Sequence, residues 1–286
     1  MHAYRTIVTR SCAALVIAGA ALVGTGVSAQ LPLATIRESG EAVTPAYEGW
    51  YRLADGRRAL LIGYFNRNTK QTFDIPVGPD NRVEPNGPDL GQPTHFDSRR
   101  GWGVFTIIVP ADFKEKYTWT IVANGKTASI PMGLHVDYEV EPFKDAAMGN
   151  TPPFLSFDSG GKTFQGPPVG IAKEMTATVG QALGLDMWVK DDAHEEPGST
   201  RPKGAPPATL QWHKHRGPGE VKFAEARPKA DFAAAGKAST TATFGAPGEY
   251  ILRAQANDSS GEGGGGFQCC WTNAHIKVTV TGGTSK

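Results

Sequence analysis

Cysteine is nearly missing from this chain: there are three in 286 residues, at positions 12, 269 and 270. That excludes the disulfide framework that staples small loop-rich domains, and it excludes a zinc site built from paired Cys-x-x-Cys motifs. Net charge is missing as well. The chain carries 29 basic and 28 acidic side chains with no block of like sign, which argues against nucleic acid as a partner and against an anionic membrane surface. Past the N-terminus no apolar run approaches the ~18 residues of a membrane span, so no membrane insertion is expected. Helical periodicity is scarce, and "ADFAAAGK" (Ala230 to Lys237) is its best and only short instance.

Catalytic signatures are absent too. There is no Gly-x-Ser-x-Gly, no His-Glu-x-x-His, no phosphate loop and no dinucleotide fingerprint. "SFDSGGKTF" (Ser156 to Phe164) lacks the strand-to-helix context of a nucleophile elbow. Asp89, Asp97 and Glu139 are scattered, so they nominate no glycosidase pair. The reading is a protein without catalytic activity, and no cofactor is implied.

What is present begins with an export signal. Arg5 and Arg10 precede the apolar "CAALVIAGAALVG", and Val27-Ser28-Ala29 fits a small-x-small cleavage rule. Residues 1–29 read as a secretory signal peptide, which places the mature chain in the periplasm or outside the cell. The mature chain then has 257 residues with 27 basic and 28 acidic side chains. That length suggests two domains of ordinary size.

Short alternating runs punctuated by Gly, Pro and Asn fill the remainder, the pattern of an all-β protein. Residues 30–44 read as an extended lead-in, and a first β-sandwich is expected over 45–141. Asp55-Gly56 and Asn124-Gly125 each join two alternating runs, and Asn-Gly predicts a type I′ hairpin. Between the hairpins lies "VGPDNRVEPNGPDLGQPTHF", a long loop. Residues 142–168 ("TPPF", "SGGK", "QGPP") have no period and read as a Pro/Gly-rich linker. A second sandwich is expected over 169–282, with a tail at 283–286. Leu183, Leu185, Met187, Phe223, Phe244, Ile251, Ile276, Val278 and Val280 are its expected apolar positions.

Within that second half, "QWHKHRGPGEVKF", "TTATFGAPGEYILRAQAND" and "HIKVTV" follow one another in order. This succession resembles the PKD-type immunoglobulin-like domain of bacterial secreted proteins. It covers most of the second half and under half of the mature chain. The resemblance implies a fold rather than a function, and the expected architecture becomes two tandem immunoglobulin-like β-sandwich domains. Gly217-Pro218-Gly219 stands where the common family version has Trp-x-Phe-Gly-Asp. The glycine run and the cysteine pair have no counterpart in the family pattern. In such a sandwich Trp212 points into the core, and Tyr250 suits a hydroxyl that anchors a corner.

Three constellations stand out. Cys269 and Cys270 are neighbours, and on a regular strand neighbours face opposite ways. A vicinal disulfide would need a break in the strand, which the preceding glycines tolerate. Bonds to another chain, two free thiols, or a metal are the alternatives. Second, sandwich topology brings "DDAHEEPGSTRPKGAPP" and "DSSGEGGGGFQCCW" to one end. Asp191, Asp192, His194, Glu195, Asp258, Glu262 and Trp271 are therefore candidate binding residues for a protein or glycan, and solvated loop charge is the plainer reading. Third, His213 and His215 share the face opposite Trp212 and read as surface histidines. They are also a weak candidate metal pair without an identified further ligand.

Overall fold

Both turn dipeptides act as their chemistry requires. Strand β1 (Val43–Arg52) returns through the Asp-Gly turn as β2 (Arg58–Asn66) in antiparallel register. The computed structural model describes residues 37–142, 149–194, 204–258 and 270–283. The expected signal peptide falls outside them. After β3 (Phe73–Asp74), two short strands, β4 (Asn81–Glu84) and β5 (His95–Phe96), come from the stretch read as a long loop. Then follow β6 (Arg99–Val109), β7 (Tyr117–Ala123) and β8 (Lys126–Met132). Asn124 and Gly125 between β7 and β8 have φ of 51° and 68°. Two consecutive positive values are the type I′ turn.

The first half layers a β1-β2-β6 sheet over a β4-β7-β8 sheet, with the β3-β5 pair beside them. Leu60, Ile62, Phe105, Ile107, Trp119 and Ile121 fill the space between. β2 is buried on both faces: Leu60 and Ile62 turn inward, while Leu61 and Ala59 pack in a separate cluster that includes Trp271 from the far end of the chain. The unbroken apolar run "ALLIGY" is the sequence mark of a strand covered on both sides.

The stretch read as linker is not all linker. It supplies β9 (Phe154–Ser156) and β10 (Thr163–Phe164), which join a sheet of the second half. At three and two residues they are too short to show a period, and flanking Pro and Gly hid them. After them come β11 (Ile171–Thr178), β12 (Ala182–Lys190), β13 (Ala208–Arg216), β14 (Val221–Phe223), β15 (Lys237–Phe244), β16 (Gly248–Asp258) and β17 (Trp271–Thr281). The expected helix is a single 3-10 turn, Phe232–Ala234, capped by Asp231.

These strands form two sheets, β10-β9-β12-β15-β14 and β11-β17-β16-β13. In the first, β9-β12-β15-β14 has the A-B-E-D order of an immunoglobulin-like sandwich, with β10 added at the edge; the second is its C-F-G sheet with an extra strand, β11, running parallel to β17. Trp212, on the third strand of that scheme, is buried as expected. The Tyr250 hydroxyl donates to the Ala246 carbonyl at 2.8 Å, closing the corner before β16. The second half is thus immunoglobulin-like by strand order and by both side-chain marks. Of the expected core, Ile251 is the exception: Tyr250, Leu252, Ala254 and Ala256 turn inward on β16, so Ile251 faces out by the period of two.

Candidate functional site

On a sandwich the polar residues of each strand face away from the core, where water normally meets them. On β13, β16 and β17 they meet the first half instead. His213, Arg253 and His275 are cross-strand partners in one row, and Gln211, Gln255 and Asn273 form the next. His213, His215, Arg253, Gln255, Asn273 and His275 are all buried. This corrects the surface reading of His213 and His215, which are only 9% and 2% exposed. They do face away from Trp212, but that face is covered by residues 74–106 of the first half.

A buried polar group must find a partner or destabilise the fold. The seam satisfies this with a chain of alternating charge. The Lys214 ammonium donates to Asp74 Oδ1 at 2.7 Å, and the same oxygen lies 3.0 Å from His95 Nδ1. His95 Nε2 is 3.4 Å from Asp97 Oδ1, and Asp97 Oδ2 is 2.7 Å from His213 Nδ1. His213 Nε2 lies 3.1 Å from Gln255 Oε1, an atom that also accepts from the Arg253 guanidinium at 3.1 Å. An amide atom accepting from arginine is oxygen, so both ring nitrogens of His213 face acceptors. Burial pushes Asp97 up, but hydrogen bonds from His213 and His95 outweigh it and hold the carboxyl far below its usual range. Burial pushes His95 down, and Asp97 and Asp74 more than reverse it.

His215 and His275 are of another kind. Their rings lie 4.4 Å apart, and their Nε2 atoms donate to the backbone carbonyls of Gly91 (3.1 Å) and Val104 (2.9 Å). Burial, first, and then nearby positive charge keep both neutral; His275 is lowered to about 3 and His215 is also well below its ordinary value. Arg216 donates to the Gln92 carbonyl at 2.6 Å and grips Asp89 with two further bonds. The Asn273 amide donates to the carbonyls of Trp102 and Gly103, each at 3.1 Å.

Beside this polar row sits an apolar plug. Trp271 is 1% exposed and packs with Tyr51, Ala59 and Leu61. Gly103 has φ of +47°, and a Cβ there would fall 1.9 Å from the Trp271 ring. Glu48 caps the plug region, accepting from the Gly103 amide at 2.7 Å and from Arg100 at 2.5 Å. Burial raises the Glu48 carboxyl to about 7, against the pull of Arg100 and the Gly103 amide.

Of the residues expected at a loop end, Asp192 and Asp258 are bonded to neighbouring residues of the chain. Asp192 Oδ2 accepts from the Thr151 hydroxyl, and Asp258 Oδ2 from the adjacent Asn150 amide, both at 2.7 Å. Residues 150 and 151 therefore tie the two loops to one place. Asp191 and Asp192 also accept from the backbone amides of Ala193 and His194. Asp258 is buried rather than solvated. Trp271 is no ligand platform, because its ring is sealed in the seam. Glu195, Glu262 and Cys269 lie outside the described residues, as does the glycine run. Cys270 is buried. Among the described residues no three His, Cys, Asp or Glu side chains gather as a metal ion would need.

No family model matches this chain. No curated protein matches it either. Among solved structures, domains 4 and 5 of the S-layer protein SbsC align at 10% identity and a TM-score of 0.24, over 84% of this chain and 98% of that one. The D00-D0 domain of intimin aligns at 9% identity and 0.26, over 84% and 100%. The D0-D1 domain of intimin aligns at 14% identity and 0.23, over 83% and 97%. At scores this low the assignment of fold rests on the strand order and corner geometry of the chain itself.

Proposed function

We propose that this chain is an exported, non-catalytic interaction or spacing protein that presents two sandwiches as one rigid unit to a protein or glycan partner in the periplasm or outside the cell. One observation carries the reading. The imidazoles, carboxylates and guanidinium groups that chemistry would need free are bonded across the seam, from Lys214 through Asp97 to Arg253. A unit joined in this way holds its loop ends at fixed separation, which suits display and spacing. Export rests on the character of residues 1–29. Among the described residues no helix is long and apolar enough to cross a membrane.

The Asp97–His213 pair favours a second reading, a hydrolytic accessory enzyme, because a carboxylate on an imidazole orients a general base. Against it, His213 Nε2 faces Gln255 rather than a nucleophile. Purified mature protein tested on an array of glycans and cell-surface proteins, and against a panel of ester and glycoside substrates with and without Zn²⁺, separates the two. Saturable binding without turnover is expected. Turnover that disappears in Asp97→Asn would replace the binding reading with the enzymatic one. We also propose that Cys270 bonds Cys269; an unfolded, unreduced monomer should then show no free thiol, and a dimer that splits on reduction would overturn this.

A further inference from the structure

The first half also carries an open cleft of about 520 Å³. Its rim is fixed by the sequence after β8. Gly133 and His135 lead into a 3-10 turn, Val136–Tyr138, and two side chains of β1 pin that backbone. The Tyr47 hydroxyl donates to the Gly133 carbonyl and Trp50 Nε1 to the His135 carbonyl, each at 2.7 Å. The rim is thereby set before any ligand arrives, which reduces the ordering cost of binding.

Aromatic rings dominate the lining. Tyr47 and Tyr138 have centroids 5.5 Å apart, with His135 6.0 Å from Tyr138. Phe113, stacked on Tyr117 at 5.2 Å, lines the same cleft. Ile130 and Met132 add aliphatic surface. Tyr138 is 53% exposed, so much of its surface is open to a ligand. Two lysines and one glutamate stand at the mouth, a net positive charge. Lys114 and Lys116 are exposed there, and among the described residues neither ammonium has an ion-pair partner. Glu115 between them is turned to the Asn86 amide at 3.4 Å.

We propose that this cleft binds a small flat-ringed carboxylate, its ring among Tyr47, Phe113 and Tyr138 and its charge at Lys114 and Lys116. The volume lies within the range of small-molecule sites, and a mostly apolar, aromatic lining with a few charged groups is their usual make-up. Lysines act as point charges and do not impose the bidentate geometry of arginine, so charge rather than shape governs that end. None of the side chains bonded across the seam lines this cleft.

The test titrates naphthalene-2-carboxylate, naphthalene-2-carboxamide and cyclohexanecarboxylate into mature protein at low salt, read by calorimetry. The naphthoate should bind at one site, with the amide and the non-aromatic acid each weaker by about tenfold, the size of a ~1.4 kcal/mol difference. Tyr138→Ala, at an exposed position, should weaken the naphthoate by a similar factor with an unchanged melting temperature. In the Lys114→Ala/Lys116→Ala variant the acid and the amide should bind alike. Equal binding of acid and amide to the wild type, an indifferent Tyr138→Ala, or no binding at millimolar concentration overturns the proposal. So does a short peptide with an aromatic C-terminal residue that binds more than about tenfold tighter than the naphthoate, since the site would then serve a peptide.

Discussion

The second sandwich has two outward faces, and they are built from different polar residues. On β12 and β15 the outward set is Asp186, Trp188, Lys237, Ser239 and Thr241, with the Lys237–Asp186 pair at 2.9 Å and Lys237 lying over the Trp188 ring. Water reaches that face. On β13, β16 and β17 the outward set is His213, Arg253, Gln255, Asn273 and His275, and the first half covers it. Alternation is the same on both. What differs is the fixed hydrogen-bonding geometry of amides, imidazoles and guanidinium against the adaptable hydroxyls and ammonium of the open face. A covered polar face needs every donor matched, and planar groups with fixed donors match best.

That contrast can be broken most sharply at the plug. Gly103→Val places a branched side chain where even a Cβ would overlap the Trp271 ring, at a left-handed φ as well. A loss of about 3 kcal/mol or more is expected in urea unfolding, with early hydrogen exchange at residues 102–106. A loss under about 1 kcal/mol would mean that Trp271 does not seal the halves together.

Next comes Asp97→Asn, which replaces the carboxylate facing His213 Nδ1 by an amide. Because the Asp97 side chain is 38% exposed, solvent screens part of the cost. About 1–2 kcal/mol is expected, well short of the ~3–5 kcal/mol of a fully buried broken pair. Indifference to salt should accompany it, and a loss erased by about 0.5 M NaCl would place the pair on the surface.

Acid should act on the seam before it acts on the open face. His275 and His215 have folded pKa values below their unfolded ones, so the unfolded chain takes up the protons more readily. Their contribution is complete above the ordinary histidine value of 6.5 and declines as pH falls toward about 3. Asp97, also lowered, adds a loss further down. Glu48 runs the other way: raised to about 7, it favours the folded state below its ordinary value of 4.5 and gives that up as pH rises through neutrality. Unfolding free energy should therefore fall between pH 6.5 and 4, and less steeply in His275→Gln. An identical slope in wild type and variant would remove the neutral pair from the account.

The smallest effect belongs to the open face. Lys237→Ala removes an ion pair whose side chains are 40% and 48% exposed, and a change within about 0.5 kcal/mol is expected. A larger loss would show that this face, too, is covered in solution by something.

Much of the fold was legible. Turn dipeptides placed both hairpins, and the Pro-Gly-x-Tyr pattern placed the corner that Tyr250 closes. Trp212 was legible from strand order alone. β9 and β10 were not, because strands this short carry no period and are recruited by the edge of β12. The seam was legible only in fragments. "ALLIGY" reads as a hairpin arm, and its unbroken apolar run carries the mark of a strand covered twice, yet nothing local says by what. Arg253 with Gln255 and Asn273 with His275 alternate as solvated positions do, and only the scarcity of Lys, Glu and Thr among them distinguishes that face. Asp97 and His213 are 116 residues apart in the chain, a separation that composition and spacing do not bridge.

Several bonds of the seam end on main-chain oxygens: Gly91 and Val104 for the two neutral histidines, Gln92 for Arg216, Trp102 and Gly103 for Asn273. A carbonyl is the same whichever residue carries it. Related chains can therefore drift at positions 92, 102 and 104 without losing the joint, provided the path of the backbone is inherited. Drift at His215, Arg216, Asn273 or His275 has no such freedom.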